Sequence, residues 1–472
     1  LAVETTNFPS NEAASSEINE PQEPYGEKIV YPASLYHCET SVSRKIVELQ
    51  TKSIGTWQAG FSLEDLYLSD EQKTALEKSM NHPVSVLTGG PGTGKTTCLK
   101  SLIKLLEANH LRYALASPTG RAAKRLSNAT ERPASTIHRL LGFSPNKGYQ
   151  HHEKNPLKID FLIVDEASML DLVLTYHLLS AVKPGTHVLF VGDVDQLPSV
   201  GAGDVLRDII KSKSVPVSRL TQIYRQEQDS LIIHNAHRIN AGKFPYFSKS
   251  PSGDFFLFPA NDAEEAAGWI LNLVSERIPK TFDLDPLEDI QVLVPMYRGA
   301  AGVDALNNLL QSKLNPPGSK KPEARLFGRI LRLGDKVMQI RNNYDKDVFN
   351  GDIGRIIRID RINQEIIIRL DDFREVLYDF SDTDELVLAY AISVHKSQGS
   401  EFPAIVMPVI TQHYIMLQRN LLYTGVTRAK KLCVLTGNPK ALRIGIGNNQ
   451  VAERNSLLAR RIQEYPLVGY YQ

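Results

Sequence analysis

From Leu68 onward, short apolar runs alternate with stretches that are apolar at every third or fourth position. The runs at 84–88, 112–117, 160–164 and 187–192 are too short for helices and rich in Val, Ile and Leu, which predicts buried strands. Helical spacing fills the gaps between them; Leu99, Leu102, Ile103 and Leu106 share one such stripe. Strand and helix in repetition predict an α/β unit, a parallel sheet covered on both faces. A second set of this kind has strands at 291–296, 404–409 and 432–436.

Two segments break the pattern. Residues 318–384 switch to short strands at Arg329–Leu333, Lys336–Ile340, Gly354–Ile359 and Glu365–Leu370, separated by Gly and Asp turns, which predicts a small β-barrel inserted into the second unit. Residues 144–157 carry Ser, Pro, Asn and Gly where helix would continue, and read as a small protruding hairpin insertion. The first α/β unit is thus expected at 67–143 and 158–218, and the second at 219–317 and 385–472. Ahead of both, 29–66 reads as a helical remnant with Tyr36, Val42, Ile46 and Leu49 at helical spacing. The first 27 residues hold six Glu and no Lys or Arg, so 1–28 is expected to be a disordered acidic tail.

Composition narrows the function only a little. A chain of 472 residues with 42% hydrophobic and 23% charged residues needs more than one core. No apolar run approaches the ~20 residues that cross a bilayer, so no membrane partner is expected. Cys38, Cys98 and Cys433 lie far apart and suggest neither a disulfide framework nor a zinc site, and a cytoplasmic location is expected. Basic and acidic residues nearly balance, 54 to 53, so any nucleic-acid site is a local groove rather than a general basic surface.

The candidate chemistry sits at the carboxyl ends of the predicted strands. Gly89 to Thr97 fit the phosphate-loop pattern G-x-x-x-x-G-K-[ST] between a strand and a helix. Gly90, Pro91, Gly92, Thr93, Gly94, Lys95, Thr96 and Thr97 are therefore the candidate nucleotide-binding residues. Glycines bring backbone N–H groups onto phosphate oxygens, Lys95 supplies positive charge, and the Thr96 hydroxyl suits Mg²⁺. Asp165 and Glu166 end the strand at 160–164, where an aspartate holds Mg²⁺ beside the loop and a glutamate orients and deprotonates the attacking water. Gln196 follows the next strand and can hydrogen-bond a γ-phosphate or that water. In the second half, Arg225 and Arg428 are candidates for stabilising charge on the transferring phosphoryl group. If they act there, ATP lies between two domains.

The ordered set resembles the motifs of superfamily 1 helicases, and within them the RecD-type group of bacterial DNA helicases. It runs from the phosphate loop and Asp165-Glu166 through Gly192–Pro198 and Tyr224-Arg225 to Val394–Phe402 and Tyr423–Ala429, over roughly residues 67–440. The resemblance implies two RecA-like parallel-sheet domains, a small hairpin insertion in the first and an SH3-like β-barrel insertion in the second. It implies ATP and Mg²⁺ as cofactors, Gln72 as the adenine reader, Glu166 as base, Gln196 as sensor, and Arg225 and Arg428 as arginine fingers. It also implies single-stranded DNA and single-strand/duplex junctions as partners, movement 5′ to 3′, and a role in repair or recombination. A monomer is expected, with repair-complex proteins as further partners. Ser117–Ala123 and Ser135–Leu141 resemble the group's early DNA-contact motifs. Thr119, Arg121, Thr136, His138, Arg139, His395, Lys396 and Ser397 are the candidate strand contacts, as hydroxyl, imidazole and cationic groups that bond phosphate oxygens. Two alternatives stay open: an RNA helicase of the related branch, and a nucleotide-gated non-motor subunit of a nuclease or repair assembly.

Overall fold

The computed structural model describes residues 2–6, 27–51, 68–222, 230–449 and 454–468. Its first domain is built on six parallel strands in the order Ala134–Thr136, Tyr113–Ser117, Phe161–Val164, His187–Gly192, Val84–Gly89 and Val217–Leu220. Alternate residues of one strand face opposite layers. Thus Leu162, Val164, Val188 and Phe190 enter one core with Val42, Ile46 and Leu178. Phe161, Ile163, Leu189 and Val191 enter the other with Leu76, Leu99, Leu102 and Leu106. Burial on both faces is why these strands read as continuous apolar runs.

Five more parallel strands form the second domain, in the order Ala391–Ser393, Ile290–Val294, Phe402–Val409, Ala429–Gly437 and Phe255–Pro259. Between helix Val303–Leu314 and strand Ala391–Ser393 the chain makes an antiparallel sheet in the order Glu375–Asp379, Glu365–Leu370, Ile353–Asp360, Lys336–Gln339 and Leu386–Leu388. It closes over its own core of Ile356, Ile366, Ile368 and Tyr378.

The structure departs from the pattern reading at several places. Strands at Ala134–Thr136, Val217–Leu220, Phe255–Pro259 and Ala391–Ser393 lie outside the predicted runs; all four are outermost in their sheets, and all but Phe255–Pro259 are short or interrupted by polar residues. The first sheet continues to Leu220, and the barrel sheet takes in Leu386–Leu388. Residues 144–157 contain two tight turns with isolated bridges, Ser144 to Gly148 and His152 to Asn155. Tyr149 turns back from them to stack on His177, with ring centroids 4.1 Å apart, because an aromatic ring finds more apolar contact there than in solvent. Ala2–Thr6, within the expected disordered tail, pairs antiparallel with Glu27–Tyr31. Of 29–66, Ala33–Thr51 is a helix, and 52–66 lie outside the described residues. The C-terminal helix Leu458–Val468, expected with the second domain, packs on the first: Leu458 and Ile462 join the core of Val42, Ile46 and Ile209.

Candidate active site at the domain interface

The phosphate loop owes its shape to two left-handed residues, Gly92 at φ 72° and Gly94 at φ 81°, which no Cβ would tolerate cheaply. Gly94 caps helix Lys95–Ala108, whose first N–H groups face the loop. The Lys95 ammonium donates to the Gly89 and Gly90 carbonyls at 2.6 and 2.8 Å. Gln72 is buried at the start of helix Asp70–Asn81, where Ser69 caps the helix. Its amide accepts from the Ser69 N–H and donates to the Gly94 carbonyl at 3.3 Å, which ties the adenine-reading candidate to the loop.

Asp165 and Glu166 follow the buried strand Phe161–Val164. Glu166 has φ 53° and ψ 40°, a left-handed conformation that costs a non-glycine residue energy and often marks a functional turn. Burial raises the Asp165 carboxyl, and the Glu166 charge adds to this, up to about 6 despite Arg125 and Lys95. Burial also pushes Glu166 up, but Arg125, Arg428 and Lys95 outweigh it and hold Glu166 below the usual carboxylate range. Two neighbouring carboxylates are thus driven apart in acidity by burial and by the unequal reach of the nearby cations.

The cleft in front of these groups has a volume of about 1330 Å³ and takes walls from both domains and the barrel. It brings together Gln72, all the candidates from Gly90 to Thr97, Asp165, Glu166, Gln196 and Arg428. Gln196 lines the cleft and donates to Asp193 at 3.2 Å, while its Oε1 is buried with no hydrogen-bond partner. Arg428, 3% exposed, is held by the Thr424 and Ser400 carbonyls and the Thr427 hydroxyl at 3.1 to 3.2 Å. Its charge still acts on Glu166 across the domain boundary. Arg225 lies outside the described residues.

Several groups in the site carry no signal in the sequence. His237 and the Tyr423 hydroxyl of the second domain press on Gly90, where a Cβ would stand 3.1 Å from each. Arg125 pairs with Glu166 at 2.5 Å and with Glu401 at 3.2 Å. For Tyr423 and Glu401 the only available hint was membership of the quoted motifs; Arg125 and His237 read as ordinary helix residues.

The strand candidates fall into two groups. Arg121, Arg139 and Lys396 face the barrel: Arg121 pairs with Asp371 at 2.9 Å, Arg139 with Asp347 at 2.8 Å, and Lys396 donates to Asn350 at 2.7 Å. Burial lowers the Lys396 ammonium. Thr119 and Thr136 cap helices Gly120–Thr130 and Ile137–Leu140. His138 lies in an aromatic cluster with Phe143 and Tyr149, and Ser397 is fully buried on the Val394 carbonyl. Burial depresses both His138 and His395. Among the described residues no helix is long and apolar enough to span a membrane.

Two parallel-sheet domains facing across a phosphate loop, with a barrel on the second, define the RecA-like class of nucleotide-driven proteins. Residues 72–202 match the AAA domain model, 306–370 the SH3 domain of ATP-dependent RecD-like DNA helicases, and 388–436 the UvrD-like helicase C-terminal domain. The RecBCD enzyme subunit RecD of Mycolicibacterium smegmatis is 30% identical over 81% of this chain and 73% of its own length. The ATP-dependent RecD2 DNA helicase of Deinococcus radiodurans is 36% identical over 83% of this chain but 52% of its own, so the chain spans about half the length of that relative. A solved Pif1 helicase, from work on unwinding of forked duplex DNA by two coordinating Pif1 helicases, shares the fold with TM-score 0.50 and 22% identity, over 78% of this chain and 92% of that one. The chain belongs to the RecD family of superfamily 1 helicases.

Proposed function

We propose that this protein is an ATP-dependent DNA helicase that moves 5′ to 3′ along single-stranded DNA and opens duplex at a junction, in DNA repair or recombination. The observation that carries the reading is the shared cleft: Lys95, Glu166 and Gln196 come from the first domain and Arg428 from the second. A nucleotide bound there touches both, so its arrival and hydrolysis change the angle between domains that also flank the strand candidates. One chain supplies both walls, which favours a monomer, working in the cytoplasm where DNA is found.

Glu166 takes the proton of the attacking water, Gln196 accepts a hydrogen bond from that water through its free Oε1, and Lys95 and Arg428 offset phosphoryl charge. Arg225 is the second finger by its motif. Thr96 and Asp165 would hold Mg²⁺; both are hard oxygen donors lining the same cleft. Bound there, Mg²⁺ neutralises phosphate charge. Thr119, Arg121, Thr136, His138, Arg139, His395, Lys396 and Ser397 remain the proposed strand contacts. Gln72 reads adenine after giving up its contact with the loop.

The test is unwinding of duplexes tailed at the 5′ or 3′ end, with ATP turnover measured on the same samples. Unwinding of the 5′-tailed duplex alone is expected, and Lys95→Ala should abolish it with turnover. Preference for the 3′ tail would refute the polarity; turnover stimulated by RNA but not DNA would refute the substrate. A second reading, service as a subunit of a larger assembly, has one observation in its favour, the similarity to the RecBCD subunit. Strand-stimulated turnover by the isolated chain argues against dependence on partners.

A further inference from the structure

We propose that Arg125 is the positioning residue through which an occupied strand groove controls the catalytic base. The inference rests on the helicase reading and adds a part to it. Helix Gly120–Thr130 starts at Thr119 and carries Arg121, Lys124 and Arg125 on one face, at positions i, i+3 and i+4. Arg121 and Lys124 reach the barrel, pairing with Asp371 and Asp372 at 2.9 Å each. Arg125 reaches from the same face toward the catalytic carboxylates, in the cleft that Arg121, Lys124, Asp371 and Asp372 also line. Its guanidinium contacts Glu166 at 2.5 Å, Glu401 of the second domain at 3.2 Å and Asp165 at 3.9 Å.

A carboxylate oxygen engaged by a guanidinium at that distance is a poor acceptor for a proton from water. In this arrangement Glu166 is masked, and the barrel carboxylates Asp371 and Asp372 occupy Arg121 and Lys124. Strand phosphates compete with Asp371 and Asp372 for Arg121 and Lys124. A helix moves as a unit, and a displacement of about 1 Å takes the 2.5 Å contact past hydrogen-bonding range. Glu401 is the second resting place for Arg125; it also pairs with Lys430 at 3.2 Å, which anchors it on the second domain. Occupation of the groove moves Arg125 from Glu166 toward Glu401 and frees the base. The relay saves ATP when no strand is bound.

The experiment is steady-state ATP turnover of the full chain, with and without saturating oligo-dT, for the wild type, Arg125→Ala, Arg125→Lys and Glu401→Gln. Arg125→Ala should raise strand-free turnover about 5-fold or more and bring the ratio of stimulated to basal turnover close to 1. A residue that only supported the fold would not produce that gain. Arg125→Lys, which reaches one carboxylate at a time, should restore part of the strand response. Glu401→Gln should leave Arg125 on Glu166 and lower stimulated turnover. Basal and stimulated rates of Arg125→Ala falling in step, or an unchanged ratio, would overturn the inference while leaving the helicase reading intact. A wild type indifferent to the strand would sink both.

Discussion

The Tyr423 hydroxyl donates to Asp193 at 2.7 Å, from the second domain to the first, 230 residues apart in the chain. Beside it the Thr424 hydroxyl accepts from the Leu197 N–H at 2.9 Å, and Gln398 donates to the Leu197 carbonyl at 2.7 Å. The loop after strand His187–Gly192 is therefore docked on the helix Arg419–Val426 that leads to Arg428. Burial raises the Asp193 carboxyl, and Lys95 and the Tyr423 bond pull against it. The contact joins the Gln196 segment to the second domain.

Tyr423→Phe removes the one interdomain donor to Asp193 among the described residues. A hydrogen bond to a charged acceptor contributes ~1.5–3 kcal/mol, so strand-stimulated turnover should fall about 10-fold or more. Initial-rate kinetics check this; a change in KM for ATP without a change in kcat would mean that the contact tunes binding rather than alignment.

Gln196→Ala deletes the unpartnered Oε1 and the bond to Asp193. Turnover should drop ~10²-fold with nucleotide affinity within about 3-fold of wild type, as expected of a group needed mainly in the transition state. Isothermal titration with a non-hydrolysable ATP analogue separates the two. A parallel loss of affinity would reassign Gln196 to ground-state binding.

Asp347→Asn with Asp371→Asn should tighten single-strand binding, because Arg139 and Arg121 lose their barrel partners. Each pair is partly exposed and contributes ~0.5 kcal/mol, so Kd should fall about 5-fold. Fluorescence anisotropy with a labelled oligonucleotide measures it. Weaker binding in the double variant would show that the barrel carboxylates organise the groove instead of occupying it.

Asp208 ties the C-terminal segment to the first domain by accepting from Ser456 at 2.8 Å. Burial raises its carboxyl, with Asp204 and Glu39 adding and Ser456 and Lys211 opposing, to about 6. The folded form thus holds this proton more tightly than the unfolded chain, whose aspartates titrate near ~3.9. The group destabilises above pH 6 by up to about 2–3 kcal/mol, and the cost disappears as pH falls below the unfolded value. Asp208→Asn should raise the thermal midpoint at pH 8 and give no gain at pH 3.5. Equal gains at both values would locate the effect in packing.

Much of the site was legible because it is local. The phosphate loop needs glycines next to Lys95 in consecutive positions, and Asp165-Glu166 end a strand whose four residues are all fully buried. Periodicity records how each residue meets its own layer, so strands such as His187–Gly192 announced themselves. Phe255–Pro259 did not: it is an edge strand that stays partly open beyond Phe255, although its residues pack on both faces of the sheet, and Pro259 blurs its end.

By itself the sequence determined two parallel-sheet units, a barrel between them, a nucleotide loop and the order of the motifs, because each follows from short-range backbone and burial constraints. Only the tertiary structure decided that Arg125 lies on Glu166 and Glu401, that Tyr423 reaches Asp193, that barrel carboxylates hold Arg121 and Arg139, and that the last helix returns to the first domain. Those are pairings between distant residues. A charged side chain on a helix surface looks the same in a sequence whether it meets water or a carboxylate 41 positions away, and topology alone selects which.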